Sequence, residues 1–411
     1  MLPPPEPQPS TAGCINYFAN AANAEGTMGC QSANDGESID LLASNFSREG
    51  YGFAGWSNKY DYTTNTDSDL KFYGPQETIT VPEGTTAHGL SLYAIWIKSQ
   101  GSLQDSTKVA SLCGTGPDSL TQAPTDGTAN LSSVSALTDQ RDNQTYAIAK
   151  LADGKCWMIE NLRLEAEDSR GNNRFDSSIT NESLAQGYNP SFTGLADPEL
   201  ANFSDSTTAN SLYSVDGSTI NTISGSSLSY RFPRYNNLNT SRRADNVTNN
   251  SANIYSYGNY YTWAAAIADT TNYTSGSHNT TSICPTGWVL PRGGNKTYEA
   301  SNDFWSLIVD GINNGTKPAN YESSTQPYYT GIPEGSMISI ALRAYPNNFL
   351  YPGFFNSSSV DSKGSGGYYW SSTTGHANGS YGLLLGGTYI RPGTNNYNKF
   401  SGRSVRCMAQ S

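Results

Sequence analysis

Six cysteines stand far apart along this 411-residue chain, at positions 14, 30, 113, 156, 284 and 407. The last lies four residues from the end, in the alternating run Ser404-Val405-Arg406-Cys407-Met408. Chain ends usually fray unless something ties them down, so a thiol at that position needs a partner. None of the six forms a CxxC pair, and His88, His278 and His376 have no ligand-like spacing to them, which argues against a zinc site. An even count in a Tyr-, Asn- and Thr-rich chain points to disulfides; buried free thiols are the alternative. Six cysteines allow fifteen pairings, and spacing alone does not choose among them.

The length suggests two or three domains. Only 14% of residues are charged and the net charge is −11, which argues against the basic surfaces that nucleic acid or anionic membranes require. The polar character comes instead from Asn, Ser, Thr and Tyr, with 27 tyrosines and 40 glycines. That texture fits β-rich, loop-rich extracellular architecture, whereas disorder needs fewer aromatics and more net charge. No apolar run reaches the length of a transmembrane helix. Met1 leads straight into LPPPEPQPSTAG without a signal-peptide core. The expectation is that a native export signal or membrane or wall anchor has been removed, leaving residues 1–13 as an extended Pro-rich linker.

Between 14 and 98 the chain reads as short strands and turns: CINYF, ESIDLL, FAGWS, ETITVP and LSLYAIWI. Alternation in ETITV and LYAIW marks half-buried strands. SQGSLQDSTK then reads as a polar linker over 99–110. QTYAIAKL and KCWMIENLRL form strands around a turn at Ala152-Asp153-Gly154. Residues 165–250 are polar and weakly periodic. Helices are expected at YYTWAAAIAD and at SNDFWSLIVDGI, the second with Ser301 or Asn302 as N-cap and Phe304, Trp305, Leu307, Ile308 and Ile312 as its apolar face. Strands return at GYYWSST, SYGLLLGG, GTYIRP and GRSVRCM.

Residues 14–98 resemble the Listeria–Bacteroides repeat of bacterial surface proteins, through EGTM (25–28), GESIDLLASNFSREGYGFAGWS (36–57) and LYAIW (92–96). The resemblance implies a small β-grasp module acting as a spacer or adhesive unit. Residues 111–411 resemble the Fibrobacter succinogenes major paralogous domain. The matching stretches are DQRDNQTYAIAKLADGKCWMIENLRL (139–164), YYTWAAA (260–266), ICPTGWVLP (283–291), YYWSST (368–373) and GRSVRC (402–407), in the family's order. That family is similar to the C-type-lectin-like fold of formylglycine-generating enzymes and of the variable proteins of diversity-generating retroelements. The implied class is α+β: a β-grasp-like module followed by a C-type-lectin-like ligand-binding domain with long polar loops.

In such folds the last strand is central. The resemblance therefore implies a Cys284–Cys407 bridge that pins the C-terminus to the middle of the domain, and leaves Cys113–Cys156 as the second pair. Cys14 and Cys30 flank the first turn of the module and form the third. On the chain-entropy model a bridge over more than a hundred residues is worth roughly 4–5 kcal/mol, and one across the module's first turn roughly 3 kcal/mol.

Catalytic signatures are missing: there is no GxSxG elbow and no HExxH. Glu165, Glu167 and Asp168 sit in a solvated polar run rather than as a glycosidase pair. Kinship with formylglycine-generating enzymes would cast Cys284 and Cys407 as reactive thiols. Arg406, the one cation beside them, should point to the opposite face of the strand, so no catalytic residue is assigned. The calcium tripeptides of sugar-binding lectins (EPN, QPD) and their WND run are absent. No cofactor or metal ligand is assigned, although abundant Asp and Asn leave room for a structural calcium.

Binding capacity concentrates in 368–403, whose Tyr, Asn, Ser, Gly and Arg content is that of adaptable paratopes. The expected ligand contacts are Tyr369, His376, Asn378, Tyr381, Thr388, Tyr389, Arg391, Asn395, Asn396 and Tyr397, all but Tyr369 and Tyr381 as solvent-facing polar tips. Asn- and Gly-rich turn chemistry gives the same composition without a ligand. Trp56, Trp96, Trp157, Trp263, Trp288, Trp305 and Trp370 are expected as core. The function expected is an exported bacterial surface protein that binds a protein or glycan, in one version through retroelement-diversified residues. The alternatives are an enzyme of the formylglycine-generating type and a structural subunit of a surface fibre.

Overall fold

In a computed structural model the described residues are 10–124, 128–164, 234–236, 257–261, 263–267, 276–294, 302–312, 332–333, 337–356, 359–376, 379–386, 389–399 and 401–410. The carboxylates Glu165, Glu167 and Asp168 lie outside them, as does most of 165–250.

The N-terminal segment forms a five-stranded sheet. Its spatial order is Gln31–Ser32, Cys14–Phe18, Leu90–Lys98, Tyr51–Ser57 and Phe72–Tyr73. The first and last long strands, Cys14–Phe18 and Leu90–Lys98, run parallel side by side, while the other pairings are antiparallel. One face carries Ile15, Leu92, Ala94, Trp96, Phe53 and Trp56 into a core of its own. The opposite face sends Ala54 and Ile95, with Tyr62 and Phe72, into a core shared with the rest of the chain. LYAIW is therefore buried on both sides rather than half-buried. Its apolar residues at successive positions reflect two covered faces, which strict alternation cannot signal.

This shared core makes the N-terminal segment a docked element. Gln76 is the hinge pin of the contact: its Nε2 donates to the Tyr257 hydroxyl at 2.8 Å. Its Oε1 accepts from the Tyr351 amide at 2.7 Å, and its backbone oxygen accepts from Arg343 Nη1 at 3.0 Å. Asn348 Nδ2 donates to Ala54 O at 2.7 Å, and the Phe72 and Tyr345 rings meet edge-on at 5.1 Å. Backbones also touch: a Cβ on Gly74 would lie 2.0 Å from Arg343 O, and one on Gly52 would lie 2.3 Å from Ala147 N.

Residues 99–110, expected as a linker, are structured and packed. Gln100 donates its amide to Ala136 O and Leu103 to Thr138 O, both at 2.9 Å. Leu103 is fully buried and its carbonyl accepts from Trp288 Nε1 at 2.9 Å. A helix, Ser106–Cys113, begins here. Asp105 caps it by accepting from the Lys108 amide, and Val109 and Leu112 form its buried face. Two buried residues on an eight-residue helix, barely two turns long, give almost no periodic signal, which is why it read as linker.

The remainder is built from mixed sheets and few helices. A five-stranded sheet is ordered Trp288–Val289, Met408–Ala409, Cys156–Met158, Thr145–Lys150 and Val134–Thr138. The chain's final strand thus lies inside a sheet, paired on both edges: Met408 faces Trp157 on one side and Val289 on the other. Alternation holds through it. Val405, Cys407 and Ala409 enter one core, and Met408 enters the other with Trp157. All seven tryptophans are buried. Helices are short: Trp263–Ile267, Asp303–Trp305 running on as a π-helical turn over Ser306–Ile312, and Met337–Arg343. Asn302 caps the second, accepting from the Trp305 amide at 3.0 Å. Among the described residues no helix is long and apolar enough to cross a membrane.

All six cysteines are paired, as Cys14–Cys30, Cys113–Cys156 and Cys284–Cys407. The Cα atoms of the last pair are 5.8 Å apart and both residues are fully buried.

Candidate functional site

Three long strands dominate the C-terminal region: Gly366–His376, Gly379–Gly386 and Tyr389–Asn398, joined as an antiparallel meander with Ile332–Pro333 on the outer edge. The first is tied to the terminal segment through Trp370 N to Ser404 O at 3.0 Å and Ser404 N to Tyr368 O at 3.1 Å. The disulfide at Cys407, three residues on, fixes that segment.

Among its described residues the meander is covered on both faces, and this overturns the expected exposure of Arg391 and Tyr397. Tyr369, Tyr381, Arg391 and Tyr397 are all buried. Tyr369 points to the core, where its hydroxyl donates to Leu350 O at 3.0 Å and accepts from Leu350 N at 2.8 Å. Leu383, Leu384 and Leu385 are buried together, so alternation selects between two interiors and not between core and water. His376, Tyr389, Asn395 and Asn396 lie on the strand backbones, with side chains outside the described set. Asn378 and Thr388 fall in the connections at 377–378 and 387–388, outside the described residues.

One face of the meander gathers groups that sequence reasoning missed. Tyr368, Trp370 and Tyr397 share it, with ring centroids 5.9 Å apart for Tyr368–Tyr397 and 6.3 Å for Trp370–Tyr397. The Tyr397 ring lies against Gly382, where a Cβ would come within 3.1 Å of it. Arg403 inserts its guanidinium among these rings, 3.7 Å from the Tyr397 centroid, 4.9 Å from Phe354 and 5.1 Å from both Tyr368 and Trp370. Burial pulls its pKa down to about 10. Lys399, also buried, sits 4.5 Å from the Trp263 centroid, and burial pushes its ammonium down to about 7. Thr374 and Ser380 face one another across the first hairpin, and Ser380 faces Tyr397 across the second.

Arg406 behaves differently. It lies on the face opposite Cys407, as alternation requires. It donates from Nε and Nη2 to Asn161 Oδ1 at 3.1 and 2.8 Å, and to Asn347 O and Asn348 O at 2.7 and 2.9 Å. It is a structural clasp between the terminal strand and the loop after Arg343. The only signal separating the two arginines in Gly402-Arg403-Ser404-Val405-Arg406-Cys407 was odd–even position, which says which side each takes but not what waits there. Among the described residues no three His, Cys, Asp or Glu side chains gather as a metal site would.

Compared with known protein families, curated proteins and solved structures, the chain matches none.

Proposed function

We propose that the chain is an exported bacterial surface protein whose C-terminal region, C-type-lectin-like in character, binds a protein or glycan ligand without performing a reaction. The observation that carries this reading is the clamped meander. Its central strand, Gly379–Gly386, is buried along its length, and its first strand is tied at Ser404 to the terminal segment that Cys284–Cys407 bonds. Rigid strands that end in short polar connections are the usual way a scaffold presents contact residues. The connections at 377–378 and 387–388 carry Asn378 and Thr388, two of the expected contacts. Three disulfides support an oxidising compartment. The pairing of Cys284 with Cys407 favours a structural role for both over thiol chemistry. Retroelement diversification of the tail would leave a near-identical template repeat and a reverse-transcriptase gene beside the coding sequence.

The test is a glycan and protein array probed with the whole chain, because the N-terminal segment shares its core with the rest. A reproducible hit that weakens on substituting Asn378 and Thr388 supports the proposal. Turnover of the captured ligand, or silence across both arrays with filament growth in solution, overturns it.

A further inference from the structure

Arg403 and Arg406 stand three residues apart on one segment and are equally buried, yet their donors meet opposite fates. Every guanidinium nitrogen of Arg406 has an acceptor. Arg403 Nε and Nη1 are buried with no hydrogen-bond partner. Its four neighbouring rings act on the face of the cation. They do nothing for N–H groups that lie in the guanidinium plane and require acceptors. An unmet buried donor is uncommon in native proteins and calls for an explanation.

A second observation lies beside it. Thr374 Oγ1 and Ser380 Oγ are likewise buried and without a partner. The pairing register places them on one row: Thr374 opposite Ser380, and Ser380 opposite Tyr397, whose ring covers Arg403. Residues directly opposite one another across antiparallel strands stand side by side. The row lies next to the His376–Gly379 pair that ends this stretch of pairing. Two hydroxyls that can donate or accept and a cation that can only donate thus share one stretch of aromatic-walled sheet.

We propose that this row recognises a carboxylate that carries neighbouring hydroxyls, as in an acidic sugar: the carboxylate takes the Arg403 donors and the ligand's hydroxyls meet Thr374 and Ser380. The inference rests on the ligand-binding reading above and names its ligand class. Charge-assisted hydrogen bonds to a buried guanidinium are strong and specific.

The experiment is calorimetry and thermal melting of the whole chain with sodium glucuronate, against glucose as the uncharged control. Glucuronate should bind and raise the melting temperature, and glucose should not. Ser380→Ala removes a hydroxyl that makes no bond in the free protein, so it should leave the unliganded melt unchanged while weakening glucuronate at least about fivefold. Arg403→Met should abolish binding, and Thr374→Val gives the same reading as Ser380→Ala should the Arg403 variant fail to fold. Equal glucuronate affinity in wild type, Ser380→Ala and Thr374→Val overturns the proposal. So does a chain that captures uncharged ligands on the arrays and ignores glucuronate, an outcome that leaves the binding function standing. Silence on the arrays together with no glucuronate binding removes both.

Discussion

Gly74→Ala tests whether the N-terminal segment is docked or swings free. Its φ lies outside the left-handed region, so alanine is conformationally tolerated there, and only the neighbours decide the outcome. The new Cβ would stand 2.0 Å from Arg343 O and 2.9 Å from Ala344 C, whereas real Cβ atoms essentially never come within 3.0 Å of such neighbours. Backbone would therefore have to retreat from backbone by about 1 Å. Overpacking of that kind costs about 1–3 kcal/mol. The same displacement stretches the 3.0 Å bond from Arg343 Nη1 to Gln76 O, worth about 1 kcal/mol more. The expected loss is about 2–4 kcal/mol in urea unfolding followed by tryptophan fluorescence. Gly29→Ala is the control, since nothing lies within 4 Å of its Cβ position, and it should stay within about 0.5 kcal/mol of wild type. A free-swinging segment would expose Gly74 to water, and alanine would then stabilise by about 0.4–1 kcal/mol through the unfolded chain. A neutral or stabilising Gly74→Ala refutes the docked arrangement.

Replacing the cysteine pairs by alanine should destabilise in the order of their sequence separations of 123, 43 and 16, by about 5, 4 and 3 kcal/mol on the chain-entropy model; denaturant melts of the three double variants check the ranking, and a costliest Cys14–Cys30 pair contradicts it. Lys399, at about 10.5 when unfolded and pushed down to about 7 by burial, binds fewer protons in the folded state between those values. Stability should therefore rise with pH across that window and fall as pH drops back towards 7; Lys399→Met should flatten the slope in melts at pH 7, 8.5 and 10. Gly382→Ala should cost about 1–3 kcal/mol, because its Cβ would meet Tyr369 O at 2.4 Å and the Tyr397 ring at 3.1 Å, and loss of near-ultraviolet tyrosine signal would report the displaced ring. Arg406→Ala should cost about 3–5 kcal/mol by opening the clasp on Asn161 and the two loop carbonyls; thermal melting that matches wild type would argue against it.

Local rules were legible. Alternation in the last residues placed Arg406 opposite Cys407, and the polar residue before Asp303 caps its helix. The cysteine pairing needed motif order, since composition left fifteen connectivities open. What stayed hidden has one physical cause. Period-two reading assumes that one face of a strand meets water, and here Leu90–Lys98 and Gly379–Gly386 are covered on both. Arg391 and Tyr397 therefore looked like surface and proved to be interior. The helix Ser106–Cys113 escaped for another reason, being barely two turns long and too short to show a period. The Arg403 row could not be read at all, because unmet donors become visible only once every neighbour is placed.

The three bridges follow one another along the chain and never overlap: 14 to 30, 113 to 156, 284 to 407. A pull applied at the two ends runs through each sulfur link and bypasses the loop it closes. The meander from Gly366 to Asn398 lies wholly within the last loop, so backbone traction passes around it and reaches it only through the hydrogen bonds that seat the N-terminal segment on Arg343, Asn348 and Tyr351.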